Sequence, residues 1–304
     1  MNRRDFLRNT ALITGGSMIA PSLFAKDALG SKSALTDKVT ILHTNDTHSN
    51  IDPFPDNHAK YPGRGGVSRR FEAIEAVRAS EENVLLLDAG DIFQGTPYFN
   101  MFGGVLEMKL MTQLGYDAAT MGNHDFDGGM DGFKSAKEYA DFPFICSNYD
   151  FSNTELDGLT EPYTIFKKGK YKVGVFGVGV ELDGLVPDNK YGETQYLDPV
   201  EMATNYAAKL KEEGCDLIIC LSHLGYTYED KERMSDVNLA RKTKDIHLII
   251  GGHTHTFLDK PVEEKNADGK TVLINQVGWA GINLGRIDFY FEKAEFKQDI
   301  ILIE

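Results

Sequence analysis

The chain has 304 residues, 41% of them hydrophobic and 26% charged, which is an ordinary globular composition able to bury a substantial core. Its net charge of −14 argues against binding to a nucleic-acid duplex or to an anionic membrane surface. An acidic protein that acts on phosphate-type substrates needs local positive charge, and bound metal ions would supply it. The three cysteines imply no disulfide framework, and we expect them to pack in the core.

The first 30 residues have the form of a twin-arginine signal peptide. Residues 2–8 contain two adjacent arginines, then Phe-Leu and another basic residue, and a modestly apolar run follows over residues 10–20. That run is too short to span a membrane. Because no cysteine lies nearby, a lipid anchor is not indicated. We therefore predict a signal peptide over residues 1–30, export to the periplasm or beyond, and no membrane anchor. The alternative is a disordered basic tail.

The remaining chain alternates strand and helix patterns and reads as one domain over residues 36–304. Continuous apolar runs predict strands covered on both faces, and apolar residues at helical spacing predict amphipathic helices. The strands near the end of the chain suggest a second, more antiparallel sheet, so we predict two packed sheets with helices outside. Strands are predicted over 39–43, 83–87, 117–121, 143–147, 163–166, 172–179, 216–221, 246–250, 271–275, 283–291 and 296–303, and helices over 66–79, 101–114, 130–139, 200–213 and 229–242.

The stretch from Met121 to Gly129 places an amide, an imidazole and two carboxylates between a predicted strand and a predicted helix. These groups belong to Asn123, His124, Asp125 and Asp127. In open α/β sheets, ligands bind at the loops that follow the strands. Alone, the stretch could be a polar turn with a helix N-cap. Four other loops, however, carry metal-type ligands in the same kind of position.

Each of these four loops follows a predicted apolar strand, directly or nearly so. Together with the Asn123 stretch they make five loops, which contain five of the eight histidines in the chain. The other three, His43, His58 and His247, lie outside these loops and are expected to be structural. In the first loop, Asp46 and His48 are two residues apart. In an extended chain both would point to the same side, so both could reach one ion. The candidate ligands outside the Asn123 stretch are Asp46, His48, Asp91, His223, His253 and His255.

The candidate ligand set is typical of a transition-metal site. Imidazole, carboxylate and one amide oxygen, without thiolate, suit Zn, Mn or Fe. Seven ligands are too many for one ion and suit two divalent ions with one bridging carboxylate. Such a pair generates hydroxide near neutral pH for attack on phosphorus, and a histidine that is not a ligand could protonate the leaving oxygen. The pattern therefore predicts phosphoester hydrolysis at a dinuclear metal centre.

The five loops together resemble those of the calcineurin-like metallophosphoesterases. The motifs occur in the order Asp-x-His, Gly-Asp, Gly-Asn-His-Asp, a lone His after a strand, and Gly-His-x-His. The stretches 42–48 and 122–127 look more specifically like the 5′-nucleotidase/UDP-sugar hydrolase branch. This resemblance covers nearly all of the chain after the signal peptide. It implies an α/β fold, a four-layer α-β-β-α sandwich with two mixed sheets flanked by helices.

The resemblance also implies a role for each candidate residue. His124 would be the catalytic histidine, oriented by Asp127, and Asn123 and His124 would contact the substrate. Asp125 would support the site or cap the helix, and some members of the branch have Gln at the position of His255. One metal site would use Asp46, His48, Asp91 and His255, and the other would use Asp91, Asn123, His223 and His253, with Asp91 bridging.

The implied function is that of an exported 5′-nucleotidase-type phosphohydrolase acting on nucleotides or related phosphomonoesters. The alternatives are a phosphodiesterase acting on 2′,3′-cyclic nucleotides or UDP-sugars, and a metal-binding subunit active only with a separate nucleotide-binding partner. Family members usually carry a second domain that stacks the nucleoside base. We expect another polypeptide to supply that domain, or simpler phosphoesters to be accepted. Trp279 could stand near the site, or be purely structural.

Overall fold

A computed structural model describes residues 38–291 and 295–304, so the predicted signal peptide lies outside the described residues. The strands are β1 (Lys38–Thr44), β2 (Val84–Asp88), β3 (Ala118–Ala119), β4 (Tyr149–Asp150), β5 (Tyr163–Lys168), β6 (Tyr171–Gly179), β7 (Gln195–Tyr196), β8 (Leu217–His223), β9 (Leu248–Gly251), β10 (Val262–Lys265), β11 (Thr271–Asn275), β12 (Asn283–Tyr290) and β13 (Glu295–Leu302). The helices are α1 (Val67–Ser80), α2 (Pro97–Phe102), α3 (Val105–Leu114), α4 (Gly129–Lys137), α5 (Asp188–Tyr191), α6 (Pro199–Glu212) and α7 (Asp236–Lys242), with a 3₁₀ turn at His124–Phe126.

Two mixed sheets form the centre of the fold. The first has the order β13-β12-β1-β2-β3, and the second has the order β10-β11-β9-β8-β6-β5. Strands β1, β2 and β3 are mutually parallel, as are β6, β8, β9 and β11, while β12, β13, β10 and β5 pair in antiparallel fashion. Strands β4 and β7 form a separate two-stranded ribbon.

The alternation of side chains along the strands produces four layers. In β2, Leu85 and Leu87 join a core shared with β8 and β9 of the other sheet, which places this core between the sheets. Leu86 points the other way, into a core with residues of α1, α3 and α4. On the second sheet, Ile218 likewise packs against residues of α6 and α7. The predicted four-layer α-β-β-α sandwich is therefore confirmed.

The cysteines have the expected structural role. Cys146 and Cys220 are buried, Cys215 is half-buried, and all three are free thiols. Across the described residues, no helix is both long enough and apolar enough to cross a bilayer.

The prediction that the last strands form a sheet of their own is wrong. Strand β11 lies parallel to β9 in the second sheet, whereas β12 pairs with β1 and β13 pairs with β12 in the first. The edge of β1 opposite β2 would otherwise expose unpaired backbone groups, and β12 satisfies them. This pairing joins residues about 250 positions apart, as in Lys38 with Tyr290, so local patterns do not reveal it.

Three other predicted elements are shorter or broken. The helix over 101–114 is divided into α2 and α3 by Gly103 and Gly104, both in the left-handed region. The helix over 229–242 begins only at Asp236, where the Ser235 hydroxyl caps the first turn. The strand over 143–147 makes only isolated bridges, at Phe144 and Ile145.

Candidate metal centre

The five loops converge because they follow parallel strands whose ends are aligned. Three follow β1, β2 and β3 of the first sheet and one follows β9 of the second, while His223 of the fourth is itself the last residue of β8. Thr44 pairs with Asp88, the last residues of β1 and β2, and Ser222 of β8 pairs with Gly251, the last residue of β9. The carboxyl ends of the parallel strands thus meet at one edge, where ligands bind in α/β folds.

One cluster at this edge contains Asp46, His48 and His255, whose candidate ligand atoms all lie within 4.8 Å of one another. Nε2 of His48 is 3.0 Å from Nε2 of His255. Nε2 of His255 is 3.3 Å from Oδ1 of Asp46. The first loop is not extended as expected, because Asp46 and His48 both have positive φ, and the pair reaches one cluster through a turn instead.

A second cluster contains Asp91, His223 and His253, also with candidate ligand atoms within 4.8 Å of one another. Nε2 of His223 lies 3.1 Å from Oδ2 of Asp91. Oδ1 of Asn123 is 2.8 Å from Nδ1 of His253, so the amide oxygen stands at the edge of this cluster. The predicted ligands of both sites are thereby brought together.

The Asp91 carboxylate lies between the two clusters. Its Oδ2 atom is 3.7 Å from Nε2 of His48 in the first cluster and 3.1 Å from Nε2 of His223 in the second. A single carboxylate oxygen therefore faces histidines of both clusters, which places Asp91 where it could be shared between two ions.

The histidine rings are oriented as metal-ligating histidines usually are. Nδ1 of His48 is 3.1 Å from the Phe93 carbonyl, and Nδ1 of His223 is 2.7 Å from the Ala89 carbonyl. A carbonyl partner makes Nδ1 the donor and leaves the Nε2 lone pair directed at the cluster. Nε2 of His223 is fully buried and makes no well-aligned hydrogen bond, although a carboxylate oxygen is nearby. This donor set fits a divalent cation.

The electrostatics of the clusters also favour a cation. Burial disfavours the protonated form of His223, but the Asp91 carboxylate outweighs burial and raises the His223 pKa to about 10. Burial opposes ionisation of Asp91 too, yet the neighbouring histidines, His223 first among them, hold its pKa far below the usual range. Burial lowers the pKa of His253 to about 4, which keeps this imidazole neutral and able to act as a ligand. Positive charge is thus strongly attracted to Asp91.

Backbone strain is concentrated at the candidate ligands. Left-handed φ values are unusual for residues other than glycine and persist only where the surroundings enforce them. Such values occur at Asp46 (50°), His48 (47°), Asp91 (57°), His253 (72°) and His255 (51°). The contacts around these loops must therefore hold each of them in place.

His124 and Asp127 form a pair beside the clusters. Nδ1 of His124 is 2.9 Å from Oδ2 of Asp127, and this hydrogen bond raises the His124 pKa. The His124 side chain is 38% exposed, unlike the buried His223. Its ring centroid is 5.2 Å from that of His48, and its backbone N–H donates to Oδ1 of Asp91 at 2.8 Å. An imidazole outside both clusters is thus fixed at their edge.

The other histidines behave as expected of structural residues. His43 is fully buried, burial lowers its pKa to about 3, and its Nε2 lies 3.0 Å from the side-chain amide of Asn275. His58 and His247 each accept a backbone N–H through Nδ1. Trp279 does stand near the site, because its ring lies parallel to that of His255 at a centroid distance of 5.7 Å.

Asp125 supports two of the loops, as the sequence suggested. Its buried carboxylate accepts four backbone N–H groups, from Asp91 (3.0 Å), Ile92 (2.9 Å), Phe93 (3.2 Å) and Gly122 (2.8 Å). The loops after β2 and β3 are thereby tied together. Two other buried amides at the site, Asn45 and Gln276, carry no sequence pattern that marks them as functional. Asn45 lies in the loop after β1 and bonds to Gly278, and Gln276 bonds to the loop after β9.

We expect Asp125→Ala to lower the free energy of unfolding of the metal-free protein by at least about 3 kcal/mol. The reason is that several buried N–H groups would lose their acceptor, at about 1–3 kcal/mol each. Denaturant unfolding measures the loss. Asp150→Ala is the control, because the Asp150 carboxylate accepts a single N–H in an exposed turn. Equal and small effects of both variants would contradict the role assigned to Asp125.

Comparisons with known proteins agree with this geometry. The chain is 35% identical over 275 residues to the snake venom 5′-nucleotidase of Gloydius brevicauda, an alignment covering 84% of this chain and 45% of that protein. It is 32% identical over 288 residues to the trifunctional nucleotide phosphoesterase protein YfkN of Bacillus subtilis, covering 84% of this chain and 18% of that one. The chain thus spans about half the length, or less, of these curated relatives.

A solved structure supports the same relationship. The 5′-nucleotidase precursor from Thermus thermophilus superimposes with a TM-score of 0.78 at 33% identity, covering 88% of this chain and 54% of that chain. The family model of the calcineurin-like phosphoesterases matches residues 39–257, which contain all five ligand loops. The chain therefore belongs to the calcineurin-like phosphoesterase family.

Proposed function

We propose that this protein is a dinuclear metal-dependent phosphohydrolase of the 5′-nucleotidase type, which hydrolyses nucleotides or related phosphomonoesters. The observation that carries the proposal is the position of Asp91 between two histidine clusters, with the His124–Asp127 pair beside them. A purely structural metal site needs no such additional pair. The similarity to 5′-nucleotidases supports the choice of reaction.

The proposed ligands form two sets that share one residue. Asp46, His48 and His255 would hold one ion, and Asn123, His223 and His253 would hold the other, with Asp91 in both sets. All are protein oxygens or imidazole nitrogens, which suits Zn, Mn or Fe. When bound, the two cations would polarise the phosphoryl group and lower the pKa of a water molecule.

His124 and Asp127, which lie beside the clusters, would assist departure of the alcohol that phosphoester hydrolysis releases. The Asp127 carboxylate accepts a hydrogen bond from the Nδ1–H of His124, so the proton that the protonated imidazole can transfer is the one on Nε2. Because the hydrogen bond to Asp127 raises the His124 pKa, the imidazole stays protonated up to a higher pH than an ordinary histidine. His124 would then donate that proton to the leaving oxygen as a general acid. Asn123 and His124 would both contact phosphoryl oxygens.

A second candidate is phosphodiester hydrolysis, on 2′,3′-cyclic nucleotides or UDP-sugars, by the same centre. The similarity to a trifunctional nucleotide phosphoesterase favours it. Export by the twin-arginine route is a further proposal and rests on the sequence of residues 2–8. A separate polypeptide that supplies a nucleotide-binding domain stays a prediction from the family resemblance.

A substrate panel tests the reaction. We expect the metal-free chain to be inactive, and Mn²⁺, Zn²⁺ or Fe²⁺ to restore hydrolysis, because the carboxylates of the clusters would otherwise repel a phosphate. AMP and p-nitrophenyl phosphate should be hydrolysed faster than UDP-glucose or a 2′,3′-cyclic nucleotide, as phosphate or nucleotide release shows. The reverse order would favour the second candidate. Full activity in protein shown by elemental analysis to lack transition metals would refute the proposal.

Two ligand variants test the shared carboxylate. We expect Asp91→Asn to weaken binding of both ions, because its carboxylate faces both clusters, and His255→Ala to weaken one ion only. Equilibrium dialysis against Mn²⁺, followed by elemental analysis, counts the ions that remain per chain. The parent should bind two. If Asp91→Asn loses no more metal than His255→Ala, Asp91 is not shared.

The role of His124 is tested by kinetics. We expect His124→Ala to lower kcat by about 10²–10⁴-fold, the usual contribution of a general acid, with both ions still bound. Asp127→Asn should lower kcat less, because the imidazole remains but is less well oriented. His247→Ala is the control, since that exposed histidine lies at the opposite ends of the strands, against the start of β8. Unchanged kcat in the metal-loaded His124→Ala protein would rule out the assignment.

A further inference from the structure

The connection between β11 and β12, residues 276–282, links the two sheets directly beside the metal centre. Strand β11 belongs to the second sheet and β12 to the first, so this connecting segment must cross from one to the other. Its residues bond on one side to the loop that carries His253 and His255. On the other side they bond to the loop that carries Asp46.

Gln276 makes the contacts to the histidine loop. It is fully buried. Its Nε2 donates to the Gly252 carbonyl at 2.5 Å, and its Oε1 accepts from the Thr254 hydroxyl at 3.0 Å and from the Thr256 N–H. These three partners alternate with His253 and His255 along the chain, so one amide spans the whole ligand segment. The Gln276 backbone carbonyl also accepts from the Leu258 N–H at 3.0 Å.

Asn45 makes the corresponding contacts to the other loop. Its Nδ2 donates to the Gly278 carbonyl at 2.6 Å and to Oδ2 of Asp46 at 2.6 Å, and its Oδ1 accepts from the Val277 N–H at 2.9 Å. The Ala280 N–H donates to the backbone carbonyl of Asp46 at 2.8 Å. The connecting segment therefore fixes the Asp46 loop relative to the two histidines.

This bonding explains how the strained ligand loop is maintained. His253 and His255 have φ values of 72° and 51°, in the left-handed region that is uncommon for residues other than glycine. The Gln276 amide bonds to the residues before, between and after them. Both polar atoms of that side chain are engaged by Gly252, Thr254 and Thr256, so Gln276 acts on the loop and is not itself a ligand.

We propose that Gln276 is a positioning residue for the metal centre, which holds His253 of one cluster and His255 of the other in their binding geometry. The inference rests on the proposed function, because it takes these histidines as ligands. Partners that orient ligand residues typically change metal affinity by about 10–100-fold when removed. Since Gln276 supports one ligand of each set, its loss should weaken both ions.

The test compares Gln276→Ala with Asn266→Ala in the full chain. Asn266 is a matched buried amide, whose Oδ1 accepts the N–H groups of Asp268 and Lys270 at 2.9 Å each, in the turn at the other end of β11. The affinity for Mn²⁺ is measured by isothermal titration calorimetry, and the Tm of the metal-free protein is measured alongside it. We expect both variants to lower the Tm, but only Gln276→Ala to weaken Mn²⁺ binding, by about 10–100-fold.

Parent-like affinity in Gln276→Ala would overturn the inference, as would an equal loss of affinity in Asn266→Ala. If Gln276→Ala does not fold, Gln276→Glu serves instead, because it keeps the length and the acceptor for Thr254 and Thr256 but cannot donate to Gly252. Weakened Mn²⁺ binding is again expected, and parent-like binding would again refute the role. A parent protein that binds no Mn²⁺, Zn²⁺ or Fe²⁺ would instead overturn the proposed function itself.

Discussion

The Asp91 carboxylate is the group on which the arrangement of the site depends. It is almost completely buried, and its Oδ2 atom faces histidines contributed by both sheets. An ionised carboxylate in such a position is costly unless positive charge compensates it. In the metal-free protein the compensation comes from a proton on His223, whose pKa the Asp91 carboxylate raises. A divalent cation would replace that proton, so metal binding and proton release at this site are linked.

This constraint explains why the loops around Asp91 are so heavily bonded. Asp125 ties the loops after β2 and β3 together through four N–H groups, and the connecting segment between β11 and β12 joins the loops after β1 and β9. Like charges and strained φ values would push these loops apart in the absence of such bonds. The parallel strands bring the ligands to one edge, and buried polar side chains then set their spacing.

The sequence predicts the fold and the candidate site well where the signal is local. Apolar runs followed by Asp, Asn or His identify the strand ends, and the ordered motifs identify the family, so the predicted fold is confirmed. The structure also brings candidate ligands such as Asp46 and His253 to one edge of the sheets. Several of the failures depend on distant pairing. Strands β12 and β13 join β1 rather than forming their own sheet, and Gln276 and Asn45 act through bonds to residues remote along the chain or in another loop. A buried amide after a strand has no local pattern that separates it from an ordinary turn residue.

In a chain with a net charge of −14, the site needs bound cations before it can attract a phosphate. Asp46, Asp91, Asp125 and Asp127 all lie in or beside the clusters, and their carboxylates would repel a phosphate that approached without cations. The metal-free protein should therefore have little affinity for its own substrate, and the ions would create the binding site as well as the reactive one. His124 fits this division, because its half-exposed side chain lies beside the clusters and belongs to neither. A proton held there by Asp127 would be available to a bound ester, whereas the proton on the buried His223 would be displaced by a bound ion.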